Sequence, residues 1–115
     1  MSNSSVVQIE FTPEFKRNIR RLSRRYRHIR TDVEPVLARL TAGETPGDQI
    51  QRTGYTVFKV RIKNTDARRG KSGGYRLVYY VKAVDRVILV TIYSKSDQGD
   101  VSSEDIRRII SDYEA

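Results

Sequence analysis

Three cations alternate with apolar residues in the short segment F-K-V-R-I-K, which spans residues 58–63. Side chains on a strand point alternately to its two faces, so Lys59, Arg61 and Lys63 are predicted to share one face. Between residues 58 and 95 there is no His and no Cys. Chemistry in this segment must therefore use fixed positive charge, phenols and hydroxyls, a set that suits a phosphate-rich substrate.

Further cations and a phenol follow in two motifs. The motif K-S-G-G-Y-R ends at Arg76, and the motif I-Y-S-K contributes Tyr93 and Lys95. The candidate catalytic residues are Lys59, Arg61, Arg76, Tyr93 and Lys95. The candidate RNA contacts, several of them in a basic loop, are Lys63, Lys71, Arg68 and Arg69. An ordinary solvated strand face is the alternative interpretation of the alternating cations.

RNA cleavage is a reaction that such residues can perform, because the RNA 2′-OH can attack the adjacent phosphate. Arginine stays protonated in proteins, so Arg61 and Arg76 can only clamp and neutralise phosphate. A lysine among other cations can give up its proton, which makes Lys59 the candidate base. Tyr93 is the candidate acid or orienting group. The reaction is expected to leave a cyclic phosphate and to need neither metal nor cofactor.

The net charge of +8 is unevenly distributed along the 115 residues. Residues 52–95 carry eleven Lys or Arg against two acids, which gives +9, whereas residues 96–115 carry −4. A basic module of this kind indicates a polyanionic partner, with nucleic acid as the leading candidate. The absence of Cys excludes disulfides and thiolate chemistry and fits the cytoplasm. No signal peptide and no membrane-spanning run is apparent.

The elements that must position these residues follow the order β-α-α-β-β-β-α in one domain, residues 1–115. A strand at residues 6–11 precedes a helix capped by Thr12, with Pro13 at its first position. A second helix is expected to carry the apolar stripe Ile29, Val33, Val36, Leu37 and Leu40. Pro35 fits its first turn if the helix begins near Thr31 or Asp32, and otherwise kinks the helix. Residues 41–55 are predicted to be loop, and residues 1–5 to be disordered.

Three strands follow, and Ser102 or Ser103 then caps a last helix. We expect an α+β fold with a mainly antiparallel four-stranded sheet, a helical hairpin on one face and a C-terminal helix. Gly73 and Gly74 are assigned to turn geometry, and Tyr75, Tyr79 and Tyr80 to sheet packing. The predicted core consists of Phe15, Ile19, Leu22, Val33, Leu37, Phe58, Val60 and Ile62.

The chain resembles the RelE/ParE toxin superfamily in its element order and in three strand motifs. These motifs are F-K-V-R, S-G-G-Y-R-L-V-Y-Y and V-I-L-V-T-I-Y-S-K, and the resemblance covers residues 6–112. The K-S-G-G-Y-R and Y-S-K-S-D-Q motifs are most similar to the RelE/HigB-like branch. The resemblance implies a type II toxin–antitoxin toxin that cuts mRNA at the ribosomal A site. It also implies an inactivating antitoxin, in a complex able to bind operator DNA.

Carried over residue by residue, the family pattern matches part of the candidate site. Lys59 and Arg61 correspond to basic residues two apart in a RelE strand, and Arg76 corresponds to the arginine of the G-Y-R motif. The family has an arginine and a tyrosine after the last strand, and this sequence has Asp97 and Val101 near those positions instead. The resemblance therefore leaves Tyr93 and Lys95 as the substitutes.

Two other functions stay open at this point: a ParE-like gyrase inhibitor and a non-catalytic RNA- or ribosome-binding module. Arg76 also has a structural alternative, a pair with an acid such as Asp97. The expected antitoxin segment is acidic and folds on binding. Its carboxylates are expected to approach Arg61, Arg76 or Lys95, or the segment is expected to displace the last helix.

Overall fold

The structure is a computed structural model that describes residues 6–67 and 73–115. The predicted disordered start and the loop cations Arg68, Arg69 and Lys71 lie outside the described residues. No helix in the described ranges is long and apolar enough to cross a membrane.

Five strands and three helices are present in the described part of the chain. In chain order they are β1 (Gln8–Phe11), α1 (Pro13–Arg25), α2 (Ile29–Thr41), β2 (Asp48–Ile50), β3 (Val57–Ile62), β4 (Tyr75–Ala83), β5 (Arg86–Ser94) and α3 (Ser103–Glu114). The strands form one sheet in the order β1-β5-β4-β3-β2. Only the β1–β5 pair is parallel, and the other three pairs are antiparallel. The predicted α+β class and element order are confirmed.

The prediction of four strands was wrong by one strand. β2 lies within the range that was predicted to be loop, and it pairs antiparallel with the start of β3. Its three residues include only one large apolar side chain, that of Ile50. A strand this short carries no alternating pattern, so its pairing depends on the neighbouring strand rather than on its own sequence.

The start of α1 follows its sequence signals. The Thr12 hydroxyl accepts a hydrogen bond from the Phe15 N–H at 3.0 Å, and it donates to the Val90 carbonyl at 2.6 Å. Pro13 occupies the first turn, where a missing N–H costs nothing. The cap therefore satisfies a helix end and also attaches it to the sheet.

The second helix begins at Ile29, the first residue of its predicted apolar stripe, and not at Thr31 or Asp32, the start that would have placed Pro35 in its first turn. Ile29 is fully buried, and continuing the helix to this residue places it in the core. Pro35 therefore lies inside the helix. Because proline has no N–H, the Thr31 carbonyl lacks its usual intrahelical donor.

The helical hairpin covers one face of the sheet and forms the larger core. Five of the eight predicted core residues are buried, and the other three are half-buried and packed against them. The predicted register of β3 is confirmed, because Val60 and Ile62 are buried on this face and Phe58 packs against them. The cations between them consequently face the opposite side.

That opposite side is covered in part by α3. Its stripe of Ile106, Ile109 and Ile110 packs against Val57 and Val78, among others. Ser102 caps the helix by accepting from the Asp105 N–H at 3.1 Å.

Polar contacts secure the end of α3. The Tyr113 hydroxyl donates to Glu10 at 2.6 Å, and Lys82 pairs with Glu114 at 2.5 Å. The helix thus covers the sheet over the start of β3 and leaves the end of that strand uncovered by its apolar stripe.

Candidate functional site

The cationic residues meet where α3 leaves the sheet open. In the strand register, Arg61 lies opposite Arg76, and Arg76 lies opposite Tyr93. Directly paired residues on neighbouring strands project to the same face, so these three side chains form one row. Lys59 precedes Arg61 by two positions and Lys95 follows Tyr93 by two. We call these five residues the cationic patch, and they are the five predicted catalytic residues.

A carboxylate that sequence reasoning missed completes this arrangement. Asp100 lies in the segment between β5 and α3, and its Oδ1 atom contacts three residues of the patch. It lies 3.5 Å from Lys59 Nζ and 3.4 Å from Lys95 Nζ, and it accepts from the Tyr93 hydroxyl at 3.2 Å. The acidic tail was the available signal, but it contains six acids and no period that selects one of them.

The pKa values of these groups reflect their surroundings. Partial burial alone would raise the pKa of Asp100, but the Lys59 and Lys95 ammonium groups outweigh burial and hold the pKa below its usual range. Burial raises the pKa of the Tyr93 phenol, and the nearby Asp100 carboxylate adds to the increase. The Val101 N–H, 3.5 Å from the phenol oxygen, acts in the opposite direction. Tyr93 is therefore a neutral hydrogen-bond donor at physiological pH.

Arg76 is positioned by backbone carbonyl groups. Its Nη1 donates to the Gly73 carbonyl and more weakly to that of Tyr75, at 3.4 Å. The alternative of a structural pair with Asp97 is wrong, because Asp97 binds Arg25 at 2.9 Å. The guanidinium is thus held at the end of the sheet beside Arg61.

A family model supplies the decisive comparison. Residues 16–111 match the RelE toxin of the RelE/RelB toxin–antitoxin system. The chain belongs to the RelE toxin family. It is the toxin of a type II toxin–antitoxin pair, and membership implies an antitoxin partner.

Two glycines of the toxin shape the patch from behind. Gly74 has a φ of 71°, and a Cβ there would overlap the Ile62 carbonyl oxygen of the adjacent strand. Gly74 therefore has the predicted role in turn geometry and also lets its backbone approach the backbone of Ile62 closely. A Cβ at Gly73 would lie 2.8 Å from the Cβ of Lys95, so this glycine leaves room for a patch residue. Sequence spacing did not reveal this second role.

Other polar residues of the toxin are not among the five residues of the patch. Lys63 is exposed just beyond β3, and the single histidine, His28, pairs with Asp66 at 2.7 Å. Tyr75 and Tyr79 are fully buried, and Tyr80 packs at 5.0 Å against Tyr55. The assignment of these three tyrosines to sheet packing is confirmed.

No group of three or more His or acidic residues in the described ranges could hold a metal ion.

Two grooves differ in their relation to the patch. One of about 350 Å³ lies beside Tyr93 and is lined by Arg21, Arg25 and Asp97, among others. A second of about 440 Å³, with an apolar floor that includes Ile19 and Leu37, lies within the hairpin layer. The first groove connects the patch to the basic surface of α1, whereas no patch residue lines the second.

Proposed function

We propose that this toxin is a ribosome-dependent mRNA endoribonuclease that inhibits translation. The observation that supports this proposal is the row of Arg61, Arg76 and Tyr93 across three adjacent strands, with two lysines beside it. Two guanidinium groups, two ammonium groups and a neutral phenol match the needs of a phosphodiester that gains charge in the transition state.

The proposed reaction uses the RNA's own 2′-OH as nucleophile. A bond forms between the 2′-oxygen and phosphorus, and the bond from phosphorus to the 5′-oxygen breaks, which leaves a 2′,3′-cyclic phosphate. Arg61 and Arg76 neutralise the charge on the phosphorane oxygens. They take no part in proton transfer, because arginine stays protonated in proteins. Tyr93 donates to the departing 5′-oxygen, since its phenol is protonated at neutral pH.

Lys59 is the proposed base for the 2′-OH proton. Its Nζ atom lies 3.5 Å from Asp100 Oδ1. Asp100 must therefore release Lys59 before Lys59 can reach the 2′-OH. This requirement makes the free toxin a poor nuclease by itself.

The ribosome has two tasks in this proposal. It holds mRNA with the 2′-OH in line with the phosphate, a positioning effect that an open protein surface cannot provide alone. It also offers ribosomal RNA to the basic α1, whose Arg21 and Arg25 border the groove beside Tyr93. The site of action is accordingly the cytoplasm.

The antitoxin is proposed to inactivate the patch through an acidic segment. Arg61 is exposed, and Arg76 and Lys95 are half-exposed, so carboxylates can reach all three. Complementary charge mainly accelerates association, so the association rate should fall as salt rises. The toxin–antitoxin complex is further proposed to bind operator DNA.

Cleavage in a reconstituted translation reaction tests the proposed function. Arg76→Ala, and Lys59→Ala combined with Arg61→Ala, should each reduce the cleavage rate roughly 10²-fold or more, as expected for the loss of an oriented phosphate contact. Primer extension on the mRNA measures the cut. Arg39→Ala is the control, because Arg39 is an exposed cation on α2 that pairs with Glu44.

Different results in these assays would support the two alternative functions or exclude the patch. Growth arrest with intact mRNA and induced DNA damage would support a ParE-like gyrase inhibitor. Ribosome binding without any cut would support a non-catalytic module. Full cleavage by the folded Arg76→Ala protein would remove the patch from the mechanism.

A further inference from the structure

Three donors from separate positions converge on a single oxygen atom in the patch. Lys59 Nζ, Tyr93 Oη and Lys95 Nζ all lie within 3.5 Å of Asp100 Oδ1. We call these three groups the donor trio. Asp100 itself comes from outside the sheet, whereas each member of the trio lies in a sheet strand or directly after one.

The hold on Asp100 is loose. Charge-assisted hydrogen bonds are usually about 2.7–2.9 Å long, and the three contacts of Asp100 span 3.2–3.5 Å. The Asp100 side chain is 54% exposed. Exposed ion pairs of this kind contribute little to folding, so the contact is easily exchanged for another anion.

We propose that the donor trio is a subsite at which one anionic oxygen of an RNA phosphodiester first docks, before Lys59 and Tyr93 turn to the reacting 2′- and 5′-oxygens, and that Asp100 closes this subsite until RNA displaces it. The inference rests on the proposed function, because it takes RNA as the ligand of the patch. A phosphate oxygen resembles the carboxylate oxygen in charge and accepts hydrogen bonds without donating any. Two ammonium groups and a phenol satisfy either one equally well.

The chain around Asp100 allows this exchange without damage to the fold. Residues 96–100 are exposed, and a Cβ added at Gly99 would meet nothing within 4 Å. The helix that follows begins at Ser103 with its own cap at Ser102. Asp100 can therefore move away while β5 and α3 stay in place.

Displacement of Asp100 also changes which negative charge the donor trio contacts when RNA binds. With Asp100 present, the positive charge of the trio is partly neutralised by a carboxylate of the protein. With a phosphate in its place, the negative charge lies on the substrate. The charge of the trio then acts on the reacting group instead of on the protein.

Binding of a short, labelled single-stranded RNA tests the subsite. The RNA carries 2′-O-methyl groups so that it cannot be cut, and affinity is measured by fluorescence anisotropy at several salt concentrations. Asp100→Asn should bind about five- to tenfold more tightly than the wild type, because a competing anion is removed. Its plot of log affinity against log salt should steepen by about 0.7, the value for one more uncompensated cation on single-stranded RNA.

Glu44→Gln is the matched control. It removes the same charge from an exposed position, but Glu44 binds Arg39 on α2 and no residue of the patch. Its affinity should change less than twofold. Asp100→Ser provides a second variant without the carboxylate, and thermal unfolding checks that all variants are folded.

Three results would overturn the subsite. Weaker binding by both Asp100 variants would make Asp100 a positioning group for the lysines instead of a competitor. Equal effects of the Glu44 and Asp100 substitutions would mean that overall charge, and not the subsite, sets the affinity. Absence of RNA binding by wild type and variants alike would overturn the subsite, whereas the proposed function is decided separately by cleavage in the translation reaction.

Discussion

The two faces of the sheet are built from the same strands, yet they have different roles. Toward the hairpin, Leu77, Leu89 and Ile92 are fully buried in a continuous apolar layer. Toward α3, apolar residues such as Val78 occupy only the part that the helix covers, and Arg61 and Arg76 follow beyond it. The apolar layer on one face fixes the positions of the strands. The paired cations on the other face are therefore held next to each other without being buried.

The largest expected effect is a difference in the free energy of unfolding between substitutions on the two faces of the sheet. Leu77→Ala removes a fully buried side chain from the hairpin face and should lower the free energy of unfolding by about 3 kcal/mol. Arg61→Ala, on the other face of the neighbouring strand, should change it by less than about 0.5 kcal/mol. Urea unfolding followed by circular dichroism measures both values. Similar losses for the two variants would mean that the cationic face is part of the folding core.

A somewhat smaller effect, on activity, distinguishes two tyrosines on the α3 side of the sheet, of which Tyr93 is only 2% exposed. Tyr93→Phe retains the packed ring but loses the hydroxyl that donates to Asp100, and it should slow ribosome-dependent cleavage roughly 10²-fold. Tyr80→Phe is the control, since Tyr80 lies on the adjacent strand and packs against Tyr55. Its cleavage rate should stay at the wild-type value. Equal rates for the two variants would exclude Tyr93 as the acid.

The smallest effect tests how α3 is attached. A hydrogen bond from Arg86, and then one from Tyr113, hold the pKa of Glu10 below its ordinary value of 4.5. A carboxyl group with a lowered folded-state pKa stabilises the fold above its unfolded pKa, and this stabilisation disappears as the pH falls through the folded pKa. Glu10→Gln should therefore lower Tm by a few degrees near neutral pH and by less as acid is added.

Thermal unfolding between neutral pH and about pH 3 measures this difference, across the range in which carboxyl groups titrate. Glu14→Gln is the control, because Glu14 forms only an exposed pair with Arg17 within α1. A Glu10→Gln deficit that persists unchanged in acid would mean that packing, rather than the carboxylate, attaches the helix.

Most of the fold was predictable because its signals are local. Thr12 and Ser102 cap the helices that their positions predicted. The alternation in β3 correctly assigned its two faces. The start of α2 was left open between two local signals, because the apolar stripe began at Ile29 whereas Pro35 favoured a start near Thr31 or Asp32. Burial of Ile29 in the core decides for the earlier start. The strand β2 likewise exists through its pairing with β3.

The sequence by itself determined which side chains face the open side of the sheet, because a period of two depends only on neighbouring residues. It placed Lys59 and Arg61 together and opposite Val60. Tertiary structure alone decided that Asp100 would reach the lysines and that Glu10 would meet Tyr113, 103 positions away. Such contacts depend on the path of a loop and on the docking of a helix, which packing energies across the whole domain settle.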